Sequence, residues 1–251
     1  MAREGTPARS AVAGLIPHLK GHAFLFDGRP APAYDSSTGT RLLLIFLVLE
    51  VILGPRLWLV SLIGQPGPPY WLRVSALLVL ALVLIRYFAR LKLSQLGLRG
   101  WREWSTTERS YFLQVLFIAN VFFALIFAGR LWRIAGEPSG WGHVGVVLLT
   151  YFVWGFYQEL MYRGILQKEL VRRWGVLPGI LASNLVYTFG PLHFYHFSGA
   201  SVWQALPMFA GIFSIGLFFA ILMQRSGNLT MVGIFHGLGD SYITGLGTLG
   251  L

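Results

Sequence analysis

From about residue 41 onward the chain alternates long apolar runs with short polar connections. The runs fall at about 42–63, 71–89, 111–128, 143–163, 178–194, 203–224 and 229–247. Each is close to the ~20 residues that a helix needs to cross ~30 Å of hydrocarbon. They are continuous rather than alternating, so they predict helices and not the strands of a barrel, the other structure able to satisfy its own backbone in lipid. The expectation is an all-α membrane protein with seven transmembrane helices and room for an eighth.

Residues 1–40 carry Pro, Gly, Ser and scattered charge ahead of the first apolar run, unlike a short cleavable leader. They read as an N-terminal cytoplasmic arm, and residues 41–251 as a single multi-span helical domain. Composition agrees: 55% of the 251 residues are hydrophobic and 12% charged, with a mean hydropathy of +0.62. These values lie outside the range of soluble domains.

The formal charge of +10 changes the picture only through its distribution. Arg86, Arg90, Lys92, Arg99, Arg102 and Arg109 flank the second connection, Lys168, Arg172 and Arg173 the fourth, and Arg225 the sixth. The opposite connections hold Arg73, Arg130 and Arg133. Lys and Arg collect on the cytoplasmic side, so this asymmetry predicts a cytoplasmic N-terminus and explains the basic excess without nucleic acid. There are no cysteines, which removes disulfides, thiolate metal ligands and a cysteine nucleophile.

Ionisable groups inside spans are costly and mark candidate sites. Glu50, Glu159 and Asp240 are the acids that fall within spans, and His193, His196 and His236 lie in or at the ends of others. Spans four and five form a hairpin bent at Trp174 to Leu177, with Pro178 in the first turn of the second arm. Glu159 and His193 each lie about 21 Å from that bend at ~1.5 Å per residue, so they reach one level. Asn228 is a candidate N-cap for the last span, which puts His236 about 12 Å in and Asp240 one turn beyond on the same face.

These residue types suit hydrolysis. A carboxylate and an imidazole hold and deprotonate a water, while a second imidazole donates to the oxyanion on an attacked carbonyl. Asp240 is placed to orient His236, and Arg163, four residues after Glu159, to organise that carboxylate.

Three motifs carry a family resemblance: Gln158-Glu159-x-x-x-Arg163, "FGPLH" from Phe189 to His193, and "HGLGD" from His236 to Asp240. In order and spacing, over roughly 143–245, they resemble the CPBP intramembrane proteases, which include the CAAX prenyl endopeptidases and the bacterial Abi proteins. The family pattern is Glu-Glu-x-x-x-Arg, then Phe-x-x-x-His, then His-x-x-x-Asn or Asp. The resemblance implies a glutamic-type intramembrane peptidase in a bacterial cytoplasmic membrane, acting on membrane-anchored or lipid-modified peptides, with Glu159, His193, His236, Asp240 and Arg163 as site residues. It also implies protein processing without a cofactor.

One departure is sharp. The first glutamate, to which the family's general-base role is usually given, is Gln158 here, and an amide takes no proton near neutrality. Three readings stay open: Glu159 carries the base role, the protein is a non-catalytic peptide-binding or immunity relative, or the residue was changed to trap a substrate. A proton-coupled transporter is a further rival. Zinc on Glu159, His193 and His236 is the main chemical alternative, although no HExxH is present.

Other features read as structural: Glu50 with Arg56 near Gly54 and Pro55, His196, and the Trp and Tyr residues at span ends as an interfacial belt. Gly237 and Gly239 both suit close helix approach. The sequence leaves the oligomeric state open.

Overall fold

A computed structural model describes residues 34–53, 69–136, 141–191 and 193–246. The first 33 positions of the expected arm, and Arg56, lie outside the described residues. All regular elements among the described residues are helical: α1 Ser36–Leu53, α2 Tyr70–Phe88, α3 Thr106–Ile126, α4 Ala128–Gly136, α5 Trp141–Trp174, α6 Val176–Phe189, α7 Phe194–Phe197, α8 Val202–Ser226, and α9, which runs Leu229–Asp240 and continues as a wider π-type turn over Ser241–Gly245, with short 3-10 turns at Leu93–Leu96 and Trp101–Glu103 between α2 and α3. Five of them, α1, α2, α3, α5 and α8, are long and apolar enough to cross a membrane. The expected fifth span is α6, an apolar helix of 14 residues.

Local chemistry explains where the boundaries depart from the apolar runs. α1 begins at Ser36 because Asp35 caps it, accepting the Thr38 backbone N–H at 2.8 Å; residues 36–40 are therefore its first turns rather than part of an arm. α3 begins five residues before the apolar run because Ser105 and Glu108 form a reciprocal capping box, with bonds of 3.1 and 2.7 Å. α5 continues for 34 residues, through Lys168 and Arg172 to Trp174, with no proline to break it before Gly175. That glycine alone makes the bend, at φ 88°, a value that favours a residue without a Cβ. Pro178 lies in the first turn of α6, as expected.

The expected placement of His193 on the fifth span needs correction. α6 stops at Phe189, Gly190 is extended at ψ −178°, and His193 sits in the following turn as the residue before α7. Pro191 disfavours helical geometry in the residue before it. The "GP" pair was therefore a stop signal within the motif.

The core of the bundle is the pairing of α5 with α9, flanked by α2 and by α6 with α8. A Cβ on Gly155 would lie 2.8 Å from Gly237 Cα, and one on Gly237 would lie 2.5 Å from the Phe152 carbonyl. Small residues let the two backbones approach this closely. Gly239 has open space where a Cβ would sit, so close approach falls to Gly237 and not to both.

One end of the bundle is basic and knitted together. Lys168 Nζ donates to the Gln95 carbonyl at 2.9 Å, Arg99 Nη2 to the Gly227 carbonyl at 2.8 Å, and the Leu229 N–H to the Gly97 carbonyl at 2.9 Å. Asn228 caps α9 through the Met231 N–H at 3.1 Å, which anchors that helix at a fixed height.

Candidate active site

Building from α5 outward, Tyr157 to Gln167 are all buried, over a stretch that widens into π-type turns at Leu160–Gln167. π-type widening recurs at functional sites. Glu159 ends the regular part of the helix and has no solvent exposure. Its Oε1 meets His236 Nδ1 of α9 at 2.6 Å, and its Oε2 faces Arg163 Nε at 3.5 Å. A carboxylate oxygen accepts, so Nδ1 carries a proton in that bond and Nε2 is the ring nitrogen left to act.

Arg163 is equally buried and is held on several sides. Nη2 donates to the Gly216 carbonyl of α8 at 2.7 Å, and the guanidinium lies 4.2 Å from the centroid of the Tyr187 ring. Asn184 of α6 accepts from the same nitrogen at 3.4 Å and itself donates to the Phe213 carbonyl at 2.9 Å. Polar groups in an apolar bundle are costly unless satisfied. Asn184 therefore ties α6 to α8 while fixing Arg163.

Tyr187 is the residue that reading the sequence missed. Its ring meets His193 at a centroid distance of 4.5 Å, and its hydroxyl lies 3.4 Å from His236 Nε2. Its backbone carbonyl accepts from His193 Nδ1 at 2.7 Å, which leaves His193 Nε2 as the nitrogen with a lone pair. Asn184, Tyr187 and Thr188 sit at helical spacing in an otherwise apolar run, which was the available signal.

Gln158 and Asp240 close the group. Gln158 Nε2 donates to Asp240 Oδ2 at 3.2 Å, and Asp240 Oδ1 lies 3.6 Å from His236 Nε2. Phe219 stacks on the His236 ring at 5.0 Å. A cavity of about 1060 Å³ opens beside these residues, and Gln158, Tyr187, His193, His236 and Asp240 line it. Glu159 and Arg163 are not among its lining residues. Thus the expected site residues do come together, but Glu159 stands behind the wall and Gln158 on it.

For the zinc alternative, Glu159 Oε1 and His236 Nδ1 are hydrogen bonded to each other, and no group of three His, Cys, Asp or Glu among the described residues is placed to hold a metal ion. Glu50 is buried and accepts from the Tyr162 hydroxyl at 3.1 Å. His196 stacks 5.9 Å from His193 and also lines the cavity.

No curated protein and no solved structure matches the chain. Residues 139–242, which hold all three motifs and the α5–α9 core of the site, match the family model of the Rce1-like type II CAAX prenyl endopeptidases, as the resemblance read from those motifs implied.

Proposed function

We propose that the protein is an intramembrane endopeptidase that hydrolyses a peptide bond of a membrane-anchored or lipid-modified peptide, in tail or leader processing. The observation that carries this reading is that both imidazoles, on α9 and after α6, line one cavity with their Nδ1 atoms already committed, His236 to Glu159 and His193 to the Tyr187 carbonyl. Each ring thereby has its Nε2 available for chemistry, with tautomer and orientation set by the partner of the other nitrogen. The family matched over residues 139–242 is one of endopeptidases.

In this reading His193 Nε2 holds the attacking water. His236, carrying both ring protons, offers Nε2–H to the oxyanion that forms on the carbonyl. Glu159 works through His236 and does not touch the water, and Arg163 balances Glu159. The substrate peptide lies extended in the apolar cavity, with Phe219 and Trp154 among its walls.

We also propose the cytoplasmic N-terminus and seven crossings, with α6 and α9 spanning as part of the bundle. On that basis the basic end faces the cytoplasm. The cavity is lined by Tyr70 and Arg73 at the start of α2, Pro207 near the start of α8 and Thr244 at the end of α9. All four lie toward the other end of their helices from the basic connections. Access is therefore from mid-membrane outward and not from the cytoplasmic surface.

The test compares the processed N- and C-terminal masses of membrane-anchored proteins in cells with and without the chain. Shifted termini that disappear with His193→Ala support the reading. Unchanged termini, or shifts that persist with His193→Ala, overturn it.

A further inference from the structure

Asp240 bears the one carboxylate among the described residues that line the cavity. Glu159, one residue after Gln158, is fully buried with Oε1 on His236 and Oε2 toward Arg163. An acid in that position holds an imidazole but does not reach a water in the cavity. On the wall, Gln158 Nε2 donates to Asp240 Oδ2 at 3.2 Å. Gln158 Oε1 has no hydrogen-bond partner among the described residues, although it is buried. An amide whose N–H serves a carboxylate and whose oxygen is unsatisfied is suited to holding a third polar molecule.

We infer that Asp240 is the general base of the hydrolysis and that Gln158 is its positioning amide, an exchange in which the acid comes from α9 and not from α5, where the resembled pattern has its first glutamate. The pair still supplies one proton acceptor and one amide to the cavity wall, the acid now coming from the last motif rather than the first. This inference rests on the endopeptidase reading.

The Asp240 carboxylate takes a proton from the water held at His193 Nε2 while the water oxygen bonds to the peptide carbonyl carbon. The carbonyl electron pair moves to oxygen, facing His236 Nε2–H. Collapse breaks the C–N bond, and the leaving nitrogen takes the proton from Asp240, which restores the carboxylate. A new carboxyl terminus and a new amine terminus result. Gln158 takes no proton at any stage; its Nε2–H holds Oδ2 so that the other carboxylate oxygen faces the reaction.

The test uses the full chain expressed in cells, with the rate at which membrane-anchored termini are processed as readout and thermal unfolding in detergent as the measure of folded protein. Asp240→Asn keeps shape and hydrogen bonding but removes the base, and the expected loss is about 10²–10⁴-fold. Returning the acid to α5 in the double variant Gln158→Glu with Asp240→Asn recovers at least about tenfold of that loss. A purely structural Asp240 would not respond to that exchange.

If wild type processes termini and folded Asp240→Asn does so within about threefold, the exchange is overturned while the endopeptidase reading stands. If wild type processes nothing, the endopeptidase reading itself fails, and if Gln158→Glu alone then processes termini, the protein is a disarmed relative and the exchange is wrong. Should Asp240→Asn not fold, the double variant decides: activity supports the exchange and folded inactivity overturns it.

Discussion

Glu159 Oε1 and His236 Nδ1, 77 residues apart in sequence, meet at 2.6 Å with the carboxylate fully buried between the imidazole and Arg163. The contact joins α5 to α9 and fixes which nitrogen of His236 is free. Burying the carboxylate is tolerable because a donor or cation stands on each side of it.

Glu159→Ala leaves the Arg163 charge buried without its counter-ion, and the expected cost is about 3–5 kcal/mol. Thermal unfolding in detergent should show a large drop in midpoint. Glu159→Gln keeps a hydrogen bond to His236 and folds better than Glu159→Ala, yet processing falls by about 10²-fold or more, because the oriented ring loses its carboxylate partner. Equal processing by Glu159→Gln and wild type would remove Glu159 from the mechanism.

Arg163→Lys keeps the charge and is still expected to be damaging. The guanidinium reaches the Gly216 carbonyl at 2.7 Å while standing over the Tyr187 ring at 4.2 Å from its centroid. An ammonium is a point charge on a flexible stem and cannot do both. We expect a lower unfolding midpoint than wild type, with intrinsic Trp and Tyr emission reporting the loosened α5, α6 and α8. A midpoint within a degree or so would mean that the two contacts of the guanidinium contribute nothing.

Gly237→Ala and Gly239→Ala should differ sharply although the two glycines are one residue apart. A Cβ on Gly237 meets the Phe152 carbonyl at 2.5 Å, whereas one on Gly239 meets open space. The first must push α9 off α5, a cost of the overpacking kind of about 1–3 kcal/mol, while the second stays close to wild type in stability. Comparable midpoints for the pair would contradict the close approach of α5 and α9 at Gly237.

Tyr162→Phe removes the donor at 3.1 Å from buried Glu50. An acceptor left unsatisfied in the interior costs about 1–3 kcal/mol. Adding Glu50→Leu to Tyr162→Phe removes the orphaned carboxylate as well and should recover most of that loss, which a double-mutant cycle on unfolding midpoints would measure. Additive losses would show that the two side chains are not coupled.

The natural lack of cysteine makes orientation directly measurable with single introduced thiols. Thr244→Cys, at the cavity end, should react with a membrane-impermeant maleimide added to intact cells, and Ser94→Cys, at the basic end, only after permeabilisation. Both positions are exposed. The reverse pattern would place the cavity mouth on the cytoplasmic side.

Much of this was legible in the sequence. Continuous apolar runs demand helices in lipid, because the bilayer core offers the backbone no water to bond. Asn228 announced the start of α9, and counting residues from the hairpin bend for Glu159 and His193, and from Asn228 for His236 and Asp240, brought the four to one depth. Even the early stop of α6 was written in Gly190 and Pro191, although the motif that spans them invites a continuous helix. Tyr187 was harder to see, since a tyrosine in an apolar run reads equally well as core.

The facing of neighbouring residues was not legible. Gln158 and Glu159 are adjacent on α5, so their side chains point about 100° apart. In a helix that is apolar on most sides, composition does not set its rotation about its own axis. Packing against α9 sets it, through Gly155 on Gly237 and the Glu159–His236 bond. The sequence by itself determined a helical membrane protein with three motifs at one depth; only the tertiary structure decided that Gln158 faces the cavity with Asp240 while Glu159 is sealed behind them.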